Sequence, residues 1–349
     1  MARFGLARVA AWPYDRFMSV PKVFARDYID FLIATPKVCS GAEAARVQPA
    51  APDPPAHDAF TRLLTRLEPD PDALWTEAEP QVRRDDGVLV VDDSTLDKPY
   101  ATAIALVSRH WSGKHHAVVR GINLVSLLWT DGDRHIPCDY RVYDKADART
   151  KNDHFADMIR AAYARGFEPR CVAFDGWYSS LENLKLIRNC GWTWLTRLKS
   201  NRLVNKDREG TRALKAVAIA ATGTEVWLPG YGRVKVFGIA TPDGGTAYWA
   251  TNDLGMTDLN RLRFAEFSWA IESDHRGIKQ CTGVERCQCR SARAQRNHIG
   301  LALRAFLRLE AHCFATGISW VEAKTAIIRE AVRAYLARPR IGFPNHRTA

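Results

Sequence analysis

Asp92 follows the apolar run VLVV and precedes Asp93, Ser94 and Thr95; Asp175 follows CVAF; Glu272 lies within FSWAIESDHRGIKQ. An acid placed directly after a short apolar run sits at the end of a strand, where the sheet edge presents it. In the third segment Glu272, Arg276 and Lys279 fall at i, i+4 and i+7, on one face of a helix. Carboxylates gathered from such elements are hard oxygen ligands of the kind magnesium prefers. Two such cations, about 4 Å apart, activate the attacking oxygen and stabilise the leaving oxygen of a phosphodiester. Arg276 and Lys279 would then hold phosphates beside the metal ions. Each signal alone has a plainer reading, since an acid after a strand is usually a turn or cap residue and a Glu with Arg at i+4 a surface pair. The order of the three acids in a basic chain favours a shared metal site.

The elements that must carry these residues can be read from the apolar patterning. VLVV, ATAIALVS, HAVVRGINLVSLLWT and HIPCDYRVY are β-branched and apolar runs separated by Ser112-Gly113 and Asp131-Gly132, and predict consecutive, mostly antiparallel strands. KNDHFADMIRAAYAR spaces Phe155, Met158, Ile159 and Ala162 as an amphipathic helix that Gly166 ends. CVAF predicts a short buried strand, and SSLENLKLIRNCG a helix with a Ser179 to Glu182 capping box. GWTWLTRL reads as a further strand. Residues 200–256 hold the β-like runs TEVWLP, RVKVFGIA and TAYWAT between Gly-rich turns, a β-rich insertion. Residues 257–336 read as helical, with a Ser319 to Glu322 capping box, and 337–349 as a frayed tail. The region before the first strand, 1–85, reads as a small helical module crossed by the proline-rich linker RVQPAAPDPPAHD. Its two readings are a DNA-gripping module and a helical cap on the main domain.

The 349 residues, 46% hydrophobic and 26% charged, are those of a folded globular chain rather than a disordered one. No apolar run reaches the length of a membrane span, and the N-terminus lacks an uninterrupted apolar signal core, so a cytoplasmic protein without membrane attachment is expected. Fifty Lys and Arg against 39 Asp and Glu give a formal charge of +11, which favours a polyanion such as nucleic acid as partner. The eight cysteines include no CxxC pair; Cys281, Cys287 and Cys289 with His298 lack the paired spacing of a zinc knuckle, and reduced structural cysteines are expected.

VVDDSTLDKP, VAFDGWYSSLENLKLIRNCGWTWLTRLKSNR, the returning strand WATN and FSWAIESDHRGIKQ together resemble the DDE transposases of bacterial insertion sequences that carry a β-rich insertion in a ribonuclease-H-like catalytic domain. The resemblance covers roughly residues 85–310. It implies an α/β fold, a ribonuclease-H-like mixed sheet flanked by helices, with the catalytic domain divided into 86–199 and 257–336 around the insertion. It implies a catalytic and metal-binding triad of Asp92, Asp175 and Glu272, with Asp93 the alternative first acid, two Mg²⁺ ions for which Mn²⁺ could substitute, and Arg276 and Lys279 on DNA phosphates. Ala265 and Ser268 stand where such enzymes often carry Tyr and Arg. Trp227 or Trp249, in the insertion, are candidates to stack on bases, although tryptophans in strands more often fill a core. The partners implied are double-stranded DNA, as transposon ends and as target, with the chain a homodimer on DNA and nucleoid-associated in a bacterial cytoplasm. The rival readings are a non-catalytic DNA-binding protein derived from a transposase, and a structural protein whose charge is incidental.

Overall fold

The computed structural model describes residues 20–112, 116–208, 210–339 and 341. Its first part is helical: α1 (Ala25–Ala34), α2 (Gly41–Arg46), α3 (His57–Arg66) and α4 (Asp72–Ala78), with the proline-rich stretch an extended link between α2 and α3. Four strands follow, β1 (Val88–Asp97), β2 (Ser108–Ser112), β3 (Ala117–Thr130) and β4 (His135–Tyr143). The expected strand ATAIALVS does not form. Leu106 adopts φ 72° and the Ala105 N–H donates to the carbonyl of Arg290, so this segment crosses the body instead of joining the ladder.

Helix α5 (Lys151–Ala164) begins at a Thr150 capping box and stops at Gly166, whose φ of +76° suits glycine. Then come β5 (Cys171–Phe174), α6 (Leu181–Asn189) and β6 (Trp194–Leu198). The cap of α6 lies one residue beyond the expected position: Ser180 Oγ accepts from Asn183 N, while Ser179 Oγ donates to the Gly176 carbonyl. The insertion supplies β7 (Leu203–Val204), β8 (Arg212–Ala213), β9 (Thr224–Leu228), β10 (Gly232–Ala240) and β11 (Thr246–Thr251). Helices α7 (Asp258–Cys281), α8 (Ala292–Thr316) and α9 (Trp320–Ala337) complete the described chain, the last capped by Ser319 as its sequence predicts.

Among the described residues nine strands form one sheet, in the order β2-β3-β1-β5-β6-β11-β10-β9, with β4 also on β3. The run β4-β3-β1 is antiparallel, and β5 and β6 continue parallel to β1, the strand arrangement of a ribonuclease-H-like fold. The insertion adds to this sheet, because β11 pairs antiparallel with β6.

Alternation along β1 divides its side chains between two cores. Leu89 and Val91 join Phe155, Phe174, Tyr178 and Leu184 on the α5 and α6 side. Val88 and Val90 join Ala173, Leu195, Ala270 and Ile271 under α7. The N-terminal helices are a cap fused to α8: the buried Asn297 amide donates to the carbonyls of Leu64 and Leu67, and His298 Nδ1 meets the Tyr28 hydroxyl at 3.0 Å. Residues 1–19 of the expected N-terminal module, and most of the tail, lie outside the described residues. No helix among the described residues is long and apolar enough to cross a membrane. All eight cysteines are free thiols.

Candidate active site

The parity that separates the two cores also separates the two candidate first acids. Asp92 continues the series of Val88 and Val90 and opens on the α7 side; Asp93 continues that of Leu89 and Val91 and turns toward α5. Asp92 lies within β1, which runs on to Asp97, and not at the strand end its sequence suggests; in the parallel pairing of β1 with β5, Val91 is opposite Phe174, so Asp92 and Asp175 follow side by side. The next strand aligns Phe174 with Thr196, and β11 aligns Trp249 with Arg197, which extends the row to Asp92, Asp175, Arg197 and Trp249. Helix α7 closes the row from above. Its Ala270 and Ile271 bury against the sheet while Glu272 stands at the rim.

The result is a cavity of about 250 Å³ lined by Asp92, Asp175 and Glu272 together with Arg197, Trp249 and Trp269. Arg197 lies over the Trp249 ring, its guanidinium carbon 4.9 Å from the centroid. Ala265 and Ser268 line the same space. Side chains as large as Tyr and Arg in those places would project into it; the Ser268 hydroxyl instead returns to the Ala265 carbonyl at 2.6 Å.

The two adjacent acids differ sharply in charge environment. Burial pushes the Asp92 carboxyl up to about 8, reinforced by the charge of Asp93 and then of Asp175 and Glu272, although the Asp93 N–H donates to it at 2.7 Å. One edge of that side chain meets the cavity; protein surrounds the rest. Burial acts on Asp93 too, but Lys151, at 2.7 Å, Asn123, at 2.6 Å, and the Tyr178 hydroxyl, at 2.8 Å, outweigh it and hold the carboxyl below its ordinary range. Asp93 is thus hydrogen-bonded on three sides within the protein.

Burial and neighbouring carboxylates oppose ionisation of Asp92, and carboxylate oxygens of this kind suit a hard divalent cation. Asp92, Asp175 and Glu272 have the chemistry to hold one. Among the described residues, however, no three His, Cys, Asp or Glu side chains stand close enough to enclose an ion; the three acids line the cavity walls without converging.

The other expected residues are dispersed. Lys279 Nζ donates to the Thr95 carbonyl at 2.8 Å and pairs with Glu285 at 3.3 Å, pinning the end of α7 to β1. Arg276 lines a separate groove with Asp133, His135 and Trp320. Trp249 is in the cavity wall, whereas Trp227, 53% exposed, sits on the outer strand β9, where its backbone bridges to Asn205. Sequence reasoning passed over Arg197 and Trp269. A charged residue inside the apolar strand WLTRL marked the first, and a tryptophan three positions before Glu272 on the same helix marked the second.

Residues 55–215 match the family described as DDE superfamily endonuclease. The matched stretch includes Asp92 and Asp175 and ends before Glu272. Among solved structures, the chain is similar to a piggyBac transposase synaptic complex with hairpin DNA, at a TM-score of 0.49 and 10% identity over 94% of this chain and 77% of that one. It is similar also to a Drosophila P element transposase strand transfer complex, at a TM-score of 0.23 and 14% identity over 40% of this chain and 30% of that one. No curated protein matches it.

Proposed function

We propose that the chain is the DNA transposase of an insertion sequence, which binds terminal inverted repeats and carries out metal-dependent strand cleavage and strand transfer. The observation that carries this reading is that Asp92, from within β1, Asp175, just past β5, and Glu272, from α7, line one cavity. The DDE endonuclease match over residues 55–215 supports the same chemistry. Asp92, Asp175 and Glu272 would hold two Mg²⁺ ions, or Mn²⁺ in their place. When bound, such a pair activates the attacking oxygen and stabilises the leaving oxygen.

The protein's own contribution is positioning and charge. The β1–β5 register fixes the two aspartates relative to each other, and α7 delivers Glu272 from the opposite wall. Arg197, in the same row, is placed to hold a phosphate oxygen. Lys279 keeps α7 against β1, and Arg276 offers a second phosphate contact farther along the helix. The net charge of +11 supplies salt-dependent affinity for duplex DNA, and handling two DNA ends calls for a homodimer in a bacterial nucleoid.

The test is cleavage of a labelled duplex carrying the element's terminal repeats, with Mg²⁺ or with EDTA, by the wild type and by Asp175→Asn. Nicking that requires the metal and is lost in the variant is the expected result. The spread of the three acids favours one rival, a non-catalytic DNA-binding protein of transposase descent. Salt-sensitive binding without any nicking would select it.

A further inference from the structure

We propose that Cys289 and Cys287, one residue apart in the link between α7 and α8, form a site of reversible oxidation: a hydroperoxide oxidises the Cys289 sulfur and Cys287 closes a disulfide on it. This chemistry lies apart from the acids and does not depend on the DNA reading.

Burial pushes up the thiols of Cys39, Cys138, Cys171, Cys190, Cys281 and Cys313. Such thiols stay protonated and pack as small apolar groups. The pair in the link is different. Cys287 is 2% exposed, and its thiol donates to the sulfur of Cys289, which is only partly buried. That hydrogen bond holds the Cys289 thiol below the usual range against the effect of burial, and the Lys98 ammonium adds to it. Lys98 is placed by the backbone of the link. Its Nζ donates to the carbonyls of Glu285, at 2.5 Å, and Cys287, at 2.6 Å, partners that leave its charge in place beside the sulfurs. From α8, Gln295 Nε2 donates to the carbonyls of Cys287, at 3.2 Å, and Cys289, at 2.6 Å. Both carbonyls are thus held while the sulfurs stay in contact and one of them remains open to solvent. A nucleophilic thiol with a resolving thiol at hand is what a disulfide-forming redox site requires.

The Cys289 thiolate attacks one oxygen of hydrogen peroxide; an S–O bond forms, the O–O bond breaks, and hydroxide leaves to take up a proton as water. The sulfur, now a sulfenic acid, has given up the electron pair that the peroxide gained. The Cys287 sulfur then attacks it; the S–S bond forms, the S–O bond breaks, and the hydroxyl departs as water with the Cys287 proton. The same link carries Glu285, which accepts from the Asp97 N–H at 3.1 Å and pairs with Lys279, so the disulfide forms beside the tie between α7 and β1.

Arg286 and Arg290 flank the pair, so trypsin releases residues 287–290 as one peptide with both thiols and no others. The test treats the intact, reduced chain with hydrogen peroxide, blocks it with iodoacetamide and maps it by mass spectrometry, before and after dithiothreitol. The wild type should yield this peptide unalkylated and lighter by a pair of hydrogens, and dithiothreitol should restore both thiols. Without peroxide at neutral pH, iodoacetamide should modify Cys289 about tenfold faster than Cys190, which is also only partly buried but has its thiol pushed up. In Cys287→Ser, dimedone should trap a sulfenic acid on Cys289; in Cys289→Ser, the peptide should stay unoxidised. The wild-type map needs no variant and decides the matter even where a substitution unfolds the chain. A peptide alkylated at both thiols after peroxide, a disulfide joining Cys289 to Cys39, or alkylation of Cys190 as fast as that of Cys289 would overturn the site. The DNA reading would stand after any of them.

Discussion

The two faces of the central sheet treat neighbouring carboxylates in opposite ways. On the α5 side Asp93 is surrounded by Lys151, Asn123 and Tyr178, each donating to it. On the α7 side burial raises the cost of charging Asp92, and Asp93, Asp175 and Glu272 add to it. One residue of chain separates a closed network from an open one. The difference teaches that the position of an acid after a strand says little by itself; which face the strand's alternation gives it decides whether it is neutralised by protein or left for an external cation.

The largest expected effect tests that contrast in the nicking assay. Asp92→Asn should lose more than about a hundredfold in metal-dependent nicking, whereas Asp93→Asn should stay within about tenfold of the wild type. The reverse ranking would place the first acid at Asp93. Stability should rank them the other way. Asp93→Ala strips Lys151 and Tyr178 of their shared acceptor and should cost about 2–3 kcal/mol by urea unfolding, and an unaltered midpoint would show the network to be dispensable.

A smaller effect follows from the burial of Asp92, reinforced by the carboxylates around it. Its folded pKa of about 8 lies above the ordinary 3.8, so the folded state retains a proton that the unfolded state releases between these values. Without metal, stability contributed by that group therefore falls as pH rises through this window. Asp92→Asn should raise Tm by a few degrees at about pH 9 and leave it unchanged at about pH 4, a size in keeping with the ~2–4 °C that 1 kcal/mol is worth in a domain of roughly 150–250 residues. An equal Tm difference at both pH values would remove Asp92 as its source. Smallest of all, adding Mg²⁺ at about pH 8 should raise the wild-type Tm more than that of Asp175→Asn, since ligand binding to the folded state stabilises it by mass action. Identical gains would point to ion binding elsewhere.

Much of this arrangement was legible in the sequence, and the limits are physical. The acids after VLVV and CVAF and the glutamate of the long helix are marked by local patterning, and so are β3, β4, α5, α9 and the strands of the insertion. The choice between Asp92 and Asp93 was present in the alternation of VLVV, but settling it requires knowing which core lies on which face, a tertiary fact. ATAIALVS has strand composition yet finds its partner in the Arg290 carbonyl, nearly two hundred residues away. The row that unites Arg197 and Trp249 with the aspartates depends on register between strands far apart in the chain, which no local pattern records. Arg276 and Lys279 share a helical face with Glu272, but what each meets is set by neighbours, and Lys279 is already engaged.

The joining of β11 to β6 has a consequence for how such a chain can change over time. The excursion between these strands returns to the strand it left and extends the same sheet; Phe237 enters the core under α7, and the Trp194 indole N–H donates to the Tyr231 hydroxyl at 2.9 Å. Its exposed turns, such as the one between β10 and β11, can lengthen or shrink while Arg197 and Trp249 keep their places in the row. The fold thus confines tolerance for change to the rim of the insertion, while its strands are held to the same core that positions the row.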